Sequence, residues 1–146
     1  MRLKRFSLKI SKKILPFTKT IKVDADKSIS IRSFLIAAIS QNISVARNIL
    51  ESDDIFSTIN CLKKLGVKIK KLKSKHYLIY GKGLGSLNLK KNAKLNFGNS
   101  GTLARLLIGI LSTTPGITVN ISGDHSLNKR SMKKLIYLMT KFGAFF

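Results

Sequence analysis

Hydrophobic and polar positions succeed one another with two alternating periods through the first half of the chain. "KTIKV", residues 19–23, alternates at a period of two and predicts a strand. From Ser28 to about Gln41 the period becomes helical, with Ile31, Phe34, Leu35 and Ala38 on one apolar face. "ISVARNI", residues 43–49, predicts a second strand. "SDDIFSTINCLKKLG", residues 52–66, predicts a helix with Ser52 or Asp53 as N-cap. It has acids in its first turn, lysines in its last, and Gly66 as its stop. "VKIKKLK" and "HYLIYG" then predict two strands joined as a hairpin.

The second half repeats this order. "GNSGTLARLLIGIL" predicts a helix, "GITVNISG" a strand after the turn "TTPG", and "SLNKRSMKKLIYLMTKFG" a helix ending at Gly143. Arg32 and Arg105, Ile43 and Ile117, and Gly66 and Gly143 are each separated by about 75 residues, the mark of an internal repeat. Two strands follow Gly66, whereas only "AFF" follows Gly143. The fold class expected is α/β (α+β), built from βαβαββ units, one complete and a second without its closing strands. The chain is therefore expected to be a piece of a longer protein.

Charge changes the picture. The 146 residues hold 28 Lys+Arg against 6 Asp+Glu, a net +22, with 44% hydrophobic residues. That hydrophobic share excludes a disordered polycation, and the field favours anionic partners. Lysines spread along the whole chain also fit a general compositional bias with solvated faces. The single cysteine, Cys61, excludes an internal disulfide and a cysteine-based zinc site, and its apolar stripe points to a buried thiol. His76 and His125 lie far apart, so no metal is expected. The basic start lacks the apolar core of a secretory signal, and Leu106–Gly123 is interrupted by Ser, Thr, Pro and Gly; neither predicts a membrane span. A cytoplasmic protein is expected.

The candidate chemistry gathers at helix beginnings. With Ser28 near an N-cap, Ser28 and Arg32 share one helix face and Lys27 lies just outside it. Cations are unfavourable at that end of the dipole unless an anion sits between them and the free N–H groups. The alternative is that Ser28 caps, Lys27 is solvated and Arg32 pairs with Asp24 or Asp26. In "FGNSGTLAR", Gly98, Asn99, Ser100, Gly101 and Thr102 let the backbone approach a ligand, with Arg105 projecting nearby. In "GDHSLNKRSM", Lys129 and Arg130 are expected in or near the first turn of the last long helix. Three cationic helix beginnings at equivalent repeat positions point to converging anion sites. "GKGLGS", residues 81–86, mimics a dinucleotide fingerprint, but no helix opens after it, so it reads as a turn.

"DKSISIRSFLIAA", "LNFGNSGTLARLL" and "GDHSLNKRSM" together resemble the enolpyruvyl transferase family, from about Thr20 to the last residue. The Lys27-Ser28 pair and the Gly-Asn-Ser-Gly-Thr loop favour the branch that acts on shikimate 3-phosphate. The sister branch acts on UDP-N-acetylglucosamine and carries Lys-Asn. The resemblance implies two domains, each of three βαβαββ units with helices inside, and ligands in the cleft facing helix N-termini. Residues 1–20 would be a crossover segment and 21–146 part of one domain, with units at 21–90 and 91–146. The implied reaction transfers enolpyruvyl from phosphoenolpyruvate to shikimate 3-phosphate, releasing phosphate, with no cofactor and no metal. Lys27, Ser28 and Arg32 would hold shikimate 3-phosphate, and Lys27, Gly101 and Arg130 phosphoenolpyruvate. Asn99, Thr102 and Arg105 would belong to the supporting loop. Gly101 implies glyphosate sensitivity in an intact enzyme, since insensitive members carry Ala there.

The resemblance has departures. Asp24-Ala25 replace Pro-Gly, Ile31 replaces His or Asn, and Ser131 replaces Pro. No catalytic residue is expected in this stretch, so the chain alone is expected to be inactive. The two small molecules are the expected partners, without nucleic acid or membrane, and the whole enzyme is expected to be a monomer. A small basic nucleic-acid-binding protein is the rival reading, although only 8% of residues are aromatic.

Overall fold

Two helices and a three-stranded sheet form the first unit. The computed structural model describes residues 7, 9, 11–13, 15–21, 23–90 and 93–146. Helix α1 runs Lys27–Ile39, strand β1 Ile43–Ala46, helix α2 Asp53–Lys64, and strands β2 and β3 Lys68–Lys73 and His76–Tyr80. The sheet order is β1-β3-β2, with β3 antiparallel to both neighbours; Ser44 and Ile69 both face Ile79. The hairpin turns at Ser74 and Lys75, and Lys75 takes a left-handed φ of 58°.

The predicted apolar face of α1 is buried, since Ile31, Phe34 and Ala38 are 0% exposed. Its cap differs from expectation. Asp26, not Ser28, is the N-cap, and its carboxylate accepts the Ile29 N–H at 2.7 Å. Asp26 lies two residues earlier and bonds across the first turn, which leaves Ser28 inside the helix. The far end of α1 is closed by the chain leaving β3: Lys82 N–H donates to Ala38 O and Gly83 N–H to Ser40 O, both at 2.9 Å. Gly81 makes this approach possible, because a Cβ there would lie 2.1 Å from Ser40 O. Gly83 and Gly85 follow with φ of +85° and +74°, so "GKGLGS" is a turn. Helix α2 begins after Ser52 and stops before Gly66, which has φ +86°.

The strand expected at residues 19–23 is not formed among the described residues; residue 22 lies outside them. Ile21 and Val23 are 70% and 68% exposed and have no ladder partner, and a strand without one has nothing to satisfy its backbone. Of the crossover segment expected at 1–20, residues 1–6, 8, 10 and 14 lie outside the described residues, and the described ones form no helix or strand.

In the second unit, strand β4 (Lys94–Asn96) pairs in parallel with β5 (Asn120–Ser122), flanking helix α3 (Gly101–Ser112). Ser100 caps α3 by accepting the Leu103 N–H. The expected last helix is broken into α4 (His125–Asn128) and α5 (Lys133–Lys141). Asn128 turns its side-chain amide back onto Gly123, accepting from its N–H at 3.2 Å and donating to its carbonyl at 3.1 Å. This local clamp competes with continuing the helix. Lys129 is consequently the C-cap of α4 and Arg130 lies between the helices, so neither is in the first turn of α5. Lys133 and Lys134 stand there instead.

One hydrophobic cluster joins the units, from Phe34, Ile55 and Leu62 to Leu95, Phe97, Leu103 and Leu107. Among the described residues no helix is long and apolar enough to cross a membrane.

Candidate functional site

The first cationic helix beginning is compensated from a neighbouring helix. Lys27 opens α1, and its ammonium lies 3.0 Å from Asp54 Oδ2 in the first turn of α2. Lys27 is therefore paired, not merely solvated, while its side chain stays 51% exposed and that of Asp54 only 15%. Ser28 is half-buried beside it, and Arg32 is exposed one turn further on. Arg32 forms no ion pair with Asp24 or Asp26 among the described residues. Its charge is open to an external anion on the same helix face as Ser28.

The second gathering uses the turn before α3. Asn96 Oδ1 accepts the Gly98 N–H at 2.9 Å, and Gly98 has φ +56°. This bend exposes Asn99, whose Oδ1 accepts from Arg130 Nη2 at 2.6 Å. Arg130 also reaches Ser126 Oγ at 3.5 Å. The guanidinium lies over the start of α3: a Cβ on Gly101 would come within 2.7 Å of Arg130 Nη1. Asn99, Gly101 and Arg130 thus meet, although Arg130 is far from them in sequence. The break after α4 is what frees Arg130 to reach back. Thr102 is half-buried in the first turn of α3 and Arg105 is exposed. Neither Arg105 nor Lys129 makes an ion pair among the described residues.

Helix α2 connects the two gatherings. Asp54 holds Lys27; one turn on, Ser57 Oγ would lie 2.8 Å from a Cβ on Gly98. Further along, Cys61 donates its thiol to Asn96 O at 3.3 Å and Lys64 its ammonium to Lys94 O at 2.7 Å. Asp54, Ser57 and Ser126 were not among the sequence candidates. The acids opening α2 were legible only as a complement to its dipole.

Cys61, Glu51, Asp26 and Asp124 are engaged within the fold, while Asp24 and Asp53 are exposed. Burial pushes the Cys61 thiol up to about 11, against the nearby Lys64 charge, so it is no nucleophile at neutral pH. Glu51 accepts from Lys71 at 2.8 Å, the Tyr77 hydroxyl at 2.7 Å and the Lys75 N–H at 3.1 Å. These donors, Lys71 first, hold its carboxyl down to about 2. Asp26 and Asp124 are helix caps. Among the described residues no group of three His, Cys, Asp or Glu could hold a metal. The arrangement can bind and orient anions; a carboxyl or thiol poised for proton transfer is not among these groups.

The chain is similar to proteins of known family. The family profile described as EPSP synthase (3-phosphoshikimate 1-carboxyvinyltransferase) matches residues 11–145. The 3-phosphoshikimate 1-carboxyvinyltransferase of Syntrophomonas wolfei is 38% identical over 136 residues, covering 93% of this chain and 31% of that protein. That of Leptospira interrogans is 38% identical over 135 residues, covering 92% and 30%. The solved EPSP synthase from Acinetobacter baumannii superposes with a TM-score of 0.78 at 34% identity, over 86% of this chain and 28% of that one. The chain thus spans about a third of the length of these relatives. A family match over nearly all of its residues, together with the common fold, places this chain in the EPSP synthase family.

Proposed function

We propose that this chain supplies one part of the ligand-binding surface of an enzyme that makes 5-enolpyruvylshikimate 3-phosphate from shikimate 3-phosphate and phosphoenolpyruvate. Lys27, Ser28 and Arg32 hold shikimate 3-phosphate. Lys27, Gly101 and Arg130 hold phosphoenolpyruvate, with Asn99, Thr102 and Arg105 supporting the loop. The observation that carries this reading is the Arg130 guanidinium, braced by Asn99 at 2.6 Å over Gly101, at the start of α3. A planar cation beside free helix N–H groups suits a phosphate or carboxylate. Residues 21–146 form part of one domain, with repeat units at 21–90 and 91–146.

Addition to phosphoenolpyruvate protonates its methylene carbon, and elimination removes a proton from the resulting methyl group. Both need a positioned acid or base. Of the six acids, Asp26 and Asp124 cap helices, Glu51 is held by Lys71 and Tyr77, Asp54 pairs with Lys27, and Asp24 and Asp53 are solvent-exposed. The chain on its own therefore binds without turning over. Calorimetry with shikimate 3-phosphate and phosphoenolpyruvate tests the binding, and phosphate release tests the turnover. Arg130→Ala is expected to weaken phosphoenolpyruvate binding about tenfold, the worth of one charge-assisted contact. Phosphate release above background by the purified chain would overturn the inactivity. The net +22 favours a second reading, binding to nucleic acid. Retention of duplex DNA at physiological salt that neither small ligand displaces would favour it.

A further inference from the structure

We infer that Asp54 is a positioning residue for Lys27, holding the ammonium where a ligand anion meets it. The inference rests on the reading of the α1 beginning as an anion site. Lysine carries its charge on a flexible four-carbon stem, and fixing it costs rotamer entropy. At the N-terminal end of α1 the helix dipole also repels that charge. Asp54 offsets both effects. It belongs to a different helix, where the first turn of α2 favours a carboxylate. Its side chain is only 15% exposed, so the surrounding protein confines it.

Among the described residues the contact is single, Lys27 Nζ to Asp54 Oδ2 at 3.0 Å. An ammonium has three protons, so two remain for another acceptor. The 51% exposure of Lys27 leaves them accessible to solvent. Asp54 therefore orients Lys27 without consuming its capacity to bind. The second unit does the equivalent differently: neutral Asn99 braces Arg130, leaving a full positive charge. Asp54 shares α2 with Ser57, which lies against Gly98, so one helix sets both the Lys27 ammonium and the approach to α3.

The test is a double-mutant cycle on the 146-residue chain, with inorganic phosphate as probe at fixed ionic strength. Binding is followed through the amide signals of Lys27, Ser28 and Ile29, and circular dichroism checks that each variant is folded. Asp54→Ala is expected to weaken phosphate binding about fivefold, with Asp54→Asn between it and the parent chain. In a Lys27→Ala background, Asp54→Ala is expected to change affinity less than about twofold. Unchanged or tighter binding by Asp54→Ala would overturn the inference, as would an equal loss in the Lys27→Ala background, which marks a merely structural role. If Asp54→Ala does not fold, Asp54→Asn decides by the same two criteria. A parent chain that shows no saturable shift, or one indifferent to Lys27→Ala, overturns the anion-site reading itself and this inference with it.

Discussion

Helix α2 of the first unit buries Ile55, Thr58, Ile59, Cys61 and Leu62, whereas α5, its repeat counterpart, buries none of its residues. Both are amphipathic and both stop before a left-handed glycine, Gly66 at φ +86° and Gly143 at φ +90°. The difference lies in what covers them. In the first unit, the β2–β3 hairpin completes a sheet against α1 and α2. In the second, β5 has β4 as its only described neighbour. Ile108, Ile121, Met132, Ile136 and Phe146 line an open hollow of about 880 Å³. Helical periodicity thus specifies a face, while burial depends on the sheet that meets it.

The largest expected contrast is between core truncations. Phe34 is 0% exposed and packs edge-on to Tyr77 at 5.2 Å. Phe34→Ala is expected to cost about 3–5 kcal/mol in urea denaturation, and Ile136→Ala in α5 less than about 1 kcal/mol. Equal losses would break the comparison. Next come two glycines. Gly81→Ala is expected to cost about 1–3 kcal/mol, because its Cβ meets the Ser40 and Ala37 carbonyls. Gly109→Ala, mid-helix in α3 with nothing within 4 Å, is expected to gain about 0.5–1 kcal/mol. Thermal melts of the two variants give the signs directly.

A smaller effect comes with acid. The folded chain holds Glu51 down to about 2, below its ordinary 4.5, through Lys71 and Tyr77. A depressed carboxyl contributes stability above 4.5 that is lost as pH falls toward 2. The first unit is expected to lose amide protection over that window, and Glu51→Gln to flatten the dependence. Hydrogen exchange at stepped pH, read for β3 and for α3, sharpens the contrast between units. The smallest effect concerns Cys61. Its buried thiol is expected to react with a water-soluble disulfide reagent far more slowly at neutral pH than in urea. Fast native labelling would show that α2 parts readily from β4.

Long apolar faces are legible in the residue pattern alone. Ile31, Phe34, Leu35 and Ala38 share a helix face because no other spacing fits them, and Gly66 and Gly143 stop helices for one conformational reason. Strand β4 is not legible: it has three residues, and only Leu95 is buried among them. By the repeat offset it is the counterpart of the "KTIKV" stretch, which reads more like a strand yet has no ladder partner among the described residues. The break after Asn128 is hidden because a side chain bonding Gly123 leaves no trace in periodicity. Of the site, Gly101 and Arg130 are visible as residue types, but their meeting depends on that break. The Lys27–Asp54 pair is invisible because it joins two helices whose packing angle periodicity does not fix.

Two contacts between α2 and β4 bear on the order of folding. The carbonyls at both ends of β4, at Lys94 and Asn96, are held by Lys64 and Cys61 of α2. So short a strand gains little from one parallel neighbour. Helix α2 is thus expected to act as a template, the first unit collapsing before the second is laid down along its flank. Pulse-labelled refolding is expected to protect α2 amides before those of β4 and β5. The two repeats, alike in pattern, would then differ in their order of birth.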